Sequence, residues 1–346
     1  MSPPRGFLRV FLAAAVVAGC NKDYPNPFAS INQTLPPGAN AALLLTSGVY
    51  ATRSGAPREL YGANADGSGL SRLTFCDAQS LACDTIEASA GPDRSRVVAR
   101  RVTDSNRDGV LSAAADGEAL VFIDLARAAE QVIVPATQKV SGADWSPVAD
   151  VIAYSGTGEG GVDDLFRIDP NGANGRNLTS TPDVRERRPR IDPTGSVAVY
   201  ERIDAGGKGE VWIFNSSLSQ VRVTTGGPGS QALAGTLYLV GSDADPGYSP
   251  DGRSIVFRRL TGIGNGGLGT WDVLRVAPDG TGLAVLATGP LFRGAPDWGR
   301  QGIVFTEIDA AAGVAQLVQV QPDGSGRKLL LTQGAGFSLS YPRWLP

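Results

Sequence analysis

From about residue 40 onward the chain repeats itself roughly every fifty residues, and no other feature narrows its fold as far. Each unit has a short segment ending near a proline, a turn, an apolar run, a variable loop, a second run ending in a turn, and a third run closing near Leu-Thr. The copy is clearest in YSPDGRSIVFRRL (248–260) followed by WDVLRVAPDGTGLAVLATG (271–289). It recurs as WSPVADVIAYSG (145–156) with LFRIDPNGANGRNLTS (165–180), and as IDPTGSVAVYER (191–202) with EVWIFNSSLSQVRVTT (210–225). DWGRQGIVFTEI (297–308) with AQLVQVQPDGSGRKLLLTQG (315–334) is a further copy, and AGPDRSRVVARRV (90–102) with EALVFIDLARAAEQVIV (118–134) a divergent one.

Asp-Gly, Asn-Gly and Thr-Gly supply the positive φ that tight hairpins need, and the β-branched and aromatic runs between them suit a packed pleated surface. Each unit therefore predicts a four-stranded antiparallel sheet. One such sheet cannot bury both faces alone, whereas a radial array packs each on its neighbours and closes into a β-propeller.

Marker residues Pro92, Pro147, Pro193, Pro250, Gly299 and Pro346 are separated by 55, 46, 57, 49 and 47 residues. Pro346, in YPRWLP, opens a unit with no downstream chain to finish it. Residues 41–75, with AALLLTSGVYAT and RELYGANADGSGLSRLTF, supply later strands that lack a first one. The expectation is an all-β, six-bladed propeller over residues 41–346, closed by pairing of the amino- and carboxyl-terminal segments, with no open seam between first and last blades.

The Trp/Tyr-Ser-Pro-Asp-Gly start, the apolar strand after it, and the Pro-Asp-Gly then Leu-Thr finish are most complete at Tyr248–Gly252 and Pro278–Gly282. They resemble the WD40-like propeller repeat of TolB proteins and of prolyl-oligopeptidase-type enzymes, over nearly all of residues 41–346. That resemblance implies a propeller scaffold. It does not carry over TolB's association with peptidoglycan-bound partners, because the separate α/β domain preceding TolB's propeller has no counterpart here, nor the peptidase chemistry, because no residues remain for a hydrolase domain.

The amino end, MSPPRGFLRVFLAAAVVAGC, has Arg5 and Arg9, an apolar run from Phe11 to Val17 and small residues before Cys20. The run is too short to span a membrane stably and reads as a signal peptide over residues 1–19. Val-Ala-Gly-Cys resembles the lipobox of bacterial lipoproteins, which implies that Cys20 becomes the lipidated first residue of the mature chain. Several acyl chains, at about 0.8 kcal/mol per buried CH₂, would make the anchoring effectively permanent. Asn21 in place of the Asp associated with inner-membrane retention favours the outer membrane. Residues 20–40, with four prolines and no apolar periodicity, read as a tether with a reach of about 25 Å if flexible. The mature chain holds 29 basic and 34 acidic residues, a net charge of −5, and no feature favours nucleic acid.

Cys76 and Cys83 remain. In an exported chain an even pair separated by six residues most simply forms a disulfide, and a two-cysteine metal site lacks any histidine to complete it.

DSNRDGVLS (104–112) resembles an EF-hand-type loop. Asp104, Asn106 and Asp108 occupy positions 1, 3 and 5, Gly109 the tight turn, Val110 a carbonyl position and Ser112 position 9. The bidentate Glu of position 12 is replaced by Ala115, leaving Asp116 or Glu118 to substitute. A structural calcium ion stiffening the loop is the expectation, and a metal-free polar hairpin the alternative.

GIGNGG (262–267) matches a dinucleotide glycine pattern, but a strand follows where a phosphate-binding helix would be needed. Ser325 and Lys328 match Ser-x-x-Lys within a repeated Asp-Gly turn. The absence of histidine excludes Ser-His-Asp and Cys-His catalysis. Carboxylate pairs remain, with Asp163, Asp164, Asp243 and Asp245 as loop candidates. Trp145, Trp298 and Trp344 hold the blade-start position, where core packing is expected. QALAGTLYLVGSDAD (231–245), long and apolar, is the expected partner-contacting loop. The functional expectation is a lipid-anchored, monomeric, non-enzymatic propeller binding a protein or glycan of the cell envelope. The alternative is a carboxylate-based polysaccharide hydrolase or lyase.

Overall fold

Val97 and Val98 are neighbours in sequence, both fully buried, and belong to different cores. Successive side chains of a strand point to opposite faces. Val97, with Ala99 and Val121, therefore packs toward Leu44, Leu60 and Leu73, while Val98, with Leu120, packs toward Ala143, Trp145 and Ile152. A strand buried on both faces must lie inside a stack of sheets.

The computed structural model describes residues 43–48, 57–76, 81–111, 116–125, 127, 129–215, 217, 219–264, 267–333 and 338–346. The expected signal peptide, Cys20 and tether lie outside these residues, as does Ser112. Among the described residues no helix is long and apolar enough to cross a membrane.

Blade 1 begins with β1 (Leu43–Gly48), β2 (Glu59–Ala63) and β3 (Ser71–Arg72). Blade 2 comprises β4 (Cys83–Ala90), β5 (Arg96–Thr103), β6 (Gly117–Asp124) and β7 (Ala129–Val134). Blade 3 has β8 (Gly142–Trp145), β9 (Ile152–Thr157), β10 (Asp163–Ile168) and β11 (Arg176–Asn177). Blade 4 has β12 (Arg185–Ile191), β13 (Ala198–Ile203), β14 (Gly209–Phe214) and β15 (Gln220–Arg222). Blade 5 has β16 (Asp243–Tyr248), β17 (Ile255–Ile263), β18 (Gly269–Val276) and β19 (Ala284–Ala287). Blade 6 divides its innermost strand into β20 (Phe292–Arg293) and β21 (Asp297–Gly299), followed by β22 (Gly302–Asp309), β23 (Val314–Val320) and β24 (Lys328–Gln333). β25 (Ser338–Trp344) then returns to blade 1, whose order is β25-β1-β2-β3.

The six antiparallel sheets form a closed six-bladed β-propeller. The core is a series of inter-blade seams. Leu165 meets Tyr200 and Phe214, Val199 and Val211 meet Ile255 and Phe257, and Val256 and Val273 meet Ile303 and Phe305. Val304 and Leu317 of blade 6 meet Leu43 and Leu45 of blade 1, completing the ring. Burying each such side chain contributes about 1.5–3 kcal/mol. Closure depends on β25: Trp344 lies opposite Leu43, Leu339 opposite Ser47, and both Leu339 and Trp344 join the seam with blade 6.

The repeated Asp-Gly turns have a packing reason beyond their positive φ. A Cβ on Gly280 would meet the Val223 carbonyl at 2.9 Å, and one on Gly67 the Leu330 carbonyl at 2.1 Å. Both turns abut the outer-strand region of the preceding blade, so only glycine permits this approach.

Candidate functional site

Four of the six innermost strands carry a left-handed residue that is not glycine: Glu87 (φ 54°), Arg188 (φ 52°), Asp245 (φ 51°) and Tyr341 (φ 49°). Strand pairing slips at each: between Ile86 and Ser89, Arg187 and Arg190, Ala244 and Gly247, and on β1 opposite β25, between Leu44 and Thr46. In blade 3 Gly142 (φ 146°) stands nearby, and in blade 6 the 294–296 segment separates β20 from β21. These bulges put large polar residues on the lining of the channel around which the blades are set. Non-glycine residues in this backbone region cost of order 1–3 kcal/mol each and persist where surrounding contacts dictate them.

Those contacts are ion pairs. Arg188 lies 3.1 Å from Asp245, 3.5 Å from both Glu87 and Glu201, and donates to the Tyr238 hydroxyl at 2.9 Å. Arg100 bridges Glu87 at 3.1 Å and Glu118 at 2.5 Å. Arg258 pairs with Asp245 and stacks 3.9 Å from the Trp271 ring. Burial pushes the Glu87 and Asp245 carboxyls up, but Arg100 and Arg188 outweigh it for Glu87, and Arg188 and Arg258 for Asp245. Both sit below the usual carboxylate range. Burial likewise opposes the Arg188 charge, and Asp245, Tyr238, Tyr341 and Glu201 together hold its pKa above the ordinary value.

A second ring joins Asp144, Arg190, Asp297 and Arg343. Arg190 pairs with Asp297 and lies 3.5 Å from Asp144, while Arg343 pairs with Asp144 and lies 3.9 Å from Asp297. Burial, then repulsion from Arg190, brings Arg343 down to about 10, still cationic at neutral pH. This ring lines one side of a funnel of about 680 Å³. The other lining residues include Trp145, Tyr248, Trp298 and Trp344, Pro147, Pro193 and Pro250, with Arg94 and the exposed Arg300. The funnel thus pairs aromatic and proline surfaces with cationic groups, an arrangement suited to holding an extended chain.

The anticipated catalytic carboxylates are placed otherwise than expected. Asp163 and Asp164 open β10, and Asp243 and Asp245 lie on β16, so none is in a loop. Asp163 pairs with Arg187 at 3.2 Å, Asp164 accepts from Asn177 at 2.7 Å, and Asp243 is bidentate to Arg259 at 2.6 and 2.8 Å. The 231–245 segment, the expected partner-contacting loop, is partly buried. Its Leu233 and Tyr238 are buried beside Leu260 and Trp271, so its apolar character fills a core, and Leu237 is its exposed large apolar residue.

In the 104–112 loop, Asp104 accepts the amides of Asp108 at 3.1 Å and Gly109 at 3.0 Å, and Asp108 accepts that of Val110 at 2.8 Å. Asn106 accepts the Asp108 amide at 2.9 Å, and Asp116 accepts that of Ser105 at 3.1 Å, joining the loop's two ends. Glu118, the other candidate closing acid, pairs with Arg100. Cys76 and Cys83 are joined by a disulfide. Trp145 and Trp344 are buried in seams, and Trp298 packs on a third. The Ser325 hydroxyl donates to Asp323 at 2.6 Å within its turn, and the described part of GIGNGG joins β17 to strand β18. The channel arginines went unread in the sequence. RERRPR (185–190), a strand too charged for its innermost place, was the signal for Arg188 and Arg190.

A closed six-bladed propeller with an ion-paired channel and an aromatic funnel is the class this structure defines. Its fold is TolB-like. TolB from Acinetobacter baumannii superposes with a TM-score of 0.64 at 17% identity, covering 92% of this chain and 70% of that one. A TolB structure from Agrobacterium tumefaciens gives 0.56 at 15% identity, covering 89% of this chain and 100% of that one. A puromycin hydrolase gives 0.51 at 14% identity, covering 79% of this chain and 41% of its own. At these identities the likeness is one of fold. No family model and no curated protein matches the sequence.

Proposed function

We propose that the protein is a binding propeller of the cell envelope, held to the outer membrane through lipidated Cys20, which takes an extended segment of a partner protein into its funnel. The carrying observation is the funnel itself: about 680 Å³, with the half-buried Tyr248 and Trp298 on its wall and Arg94 and Arg300 beside them. Aromatic and arginine side chains supply most of the binding energy in protein interfaces. The network beneath holds its acids in ion pairs, which suits a rigid floor better than general acid-base chemistry. A structural calcium ion in the 104–112 loop, through Asp104, Asn106, Asp108, Val110, Ser112 and Asp116, belongs to the same reading as a stiffening element.

The test is capture from solubilised envelope with wild-type protein, Trp298→Ala and Arg300→Glu. A partner held by the wild type and reduced at least tenfold by both variants supports the reading. Equal capture by all three contradicts it, and retention of isolated glycan in place of protein moves the assignment to a carbohydrate ligand. Radiolabelled palmitate incorporated into the wild type and absent from Cys20→Ala tests the anchor.

A further inference from the structure

Glu186 is fully buried on β12, and neither of its carboxylate oxygens has a hydrogen-bond partner. The repeat shows what it lacks. Two residues ahead of the bulge in blade 5 stands Asp243, opposite Arg259 and bidentate to it. Two residues ahead of the bulge in blade 4 stands Glu186, opposite Arg202. Arg202 is engaged elsewhere, its guanidinium 4.4 Å from the Trp212 ring and 3.4 Å from the Gln220 side-chain oxygen.

Arg202 stays close enough to favour the Glu186 charge but donates no hydrogen bond to it, and other oxygens gather there. The hydroxyls of Thr179 and Thr181 flank Glu186, and that of Thr181 is buried with no partner. Asp164, also fully buried, is close enough to act on Glu186 through its charge and accepts the Thr181 amide at 3.3 Å. Two buried carboxyl groups with two hydroxyls form an all-oxygen donor set, the kind hard cations take. An unpaired carboxylate in such surroundings is costly unless countercharge arrives.

We propose that Glu186, Thr179, Thr181 and Asp164 form a binding site for a calcium-class divalent cation between blades 3 and 4. The site is distinct from the 104–112 loop, which belongs to blade 2. Bound there, the ion supplies the direct contact with the carboxylate that Arg259 gives Asp243 in blade 5, and it ties the 179–181 segment to β12.

The test is titration of the full-length mature chain with terbium(III), whose luminescence the neighbouring Tyr200 sensitises, and with calcium by calorimetry. The wild type should show a saturable site that Glu186→Gln and Thr181→Val each weaken at least tenfold and that Asp104→Asn leaves in place. Cooperative melting of each variant checks folding. If Glu186→Gln does not fold, Thr181→Val decides alone. Wild-type affinity in the folded variants, or no saturable binding by the wild type, overturns the proposal. So does a signal that Asp104→Asn alone abolishes.

Discussion

At the scale of single residues, the channel is held by charges whose removal is asymmetric. Arg188 touches Glu87, Glu201 and Asp245 together, so Arg188→Met leaves three buried acids short of a partner. Breaking a buried pair from one side costs about 3–5 kcal/mol, and a fall of that size in urea-unfolding free energy at neutral pH is expected. Glu186 behaves oppositely. Burial, the dominant influence, raises its pKa against the opposing effects of Thr179, Thr181 and Arg202. A carboxyl raised on folding costs nothing while protonated in both states. Stability is lost as pH rises from the ordinary glutamate range through the raised value, and the deficit is constant above it. In chelator-treated protein, Glu186→Gln should therefore raise stability at neutral pH by about 1–3 kcal/mol, with the gain vanishing in acid. A constant gain across pH, or a loss at neutral pH, contradicts this.

At the scale of elements, closure and stapling can be tested separately. Truncation after residue 337 removes β25, which supplies the innermost strand of blade 1 and the Leu339 and Trp344 contacts with blade 6. The shortened chain should lose its single cooperative melting transition, whereas unchanged melting would show that the ring closes without β25. The Cys76–Cys83 disulfide closes a short loop, and its replacement by paired serines should cost about 2 kcal/mol, read as a lower urea midpoint.

These elements were legible in the sequence because local patterns dictate them. The apolar runs and Asp-Gly turns marked the strands of each blade, and the unfinished YPRWLP unit pointed to the shared blade. The bulges were not legible. Glu87, Arg188, Asp245 and Tyr341 adopt positive φ through contacts from neighbouring blades, which no local preference reports. The burial of Leu233 and Tyr238 was not legible for a related reason, since their apolar character is equally consistent with an exposed patch until the adjoining Leu260 and Trp271 are in place.

At the scale of the whole molecule, the ring converts six weak sheets into a rigid frame, and its channel is filled with ion pairs. What the frame presents is the funnel, where the six innermost strands leave aromatic and proline side chains around the Asp144–Arg190–Asp297–Arg343 ring. Binding through this mouth is the central claim. Its most direct measurement is photo-crosslinking in the native cell, with a photoreactive residue at Arg300 in the funnel or at exposed Val221 on the outer strand of blade 4. A discrete protein adduct from position 300 and none of that mass from position 221 is expected. The same adducts from both positions, or an adduct from position 221 alone, would contradict it.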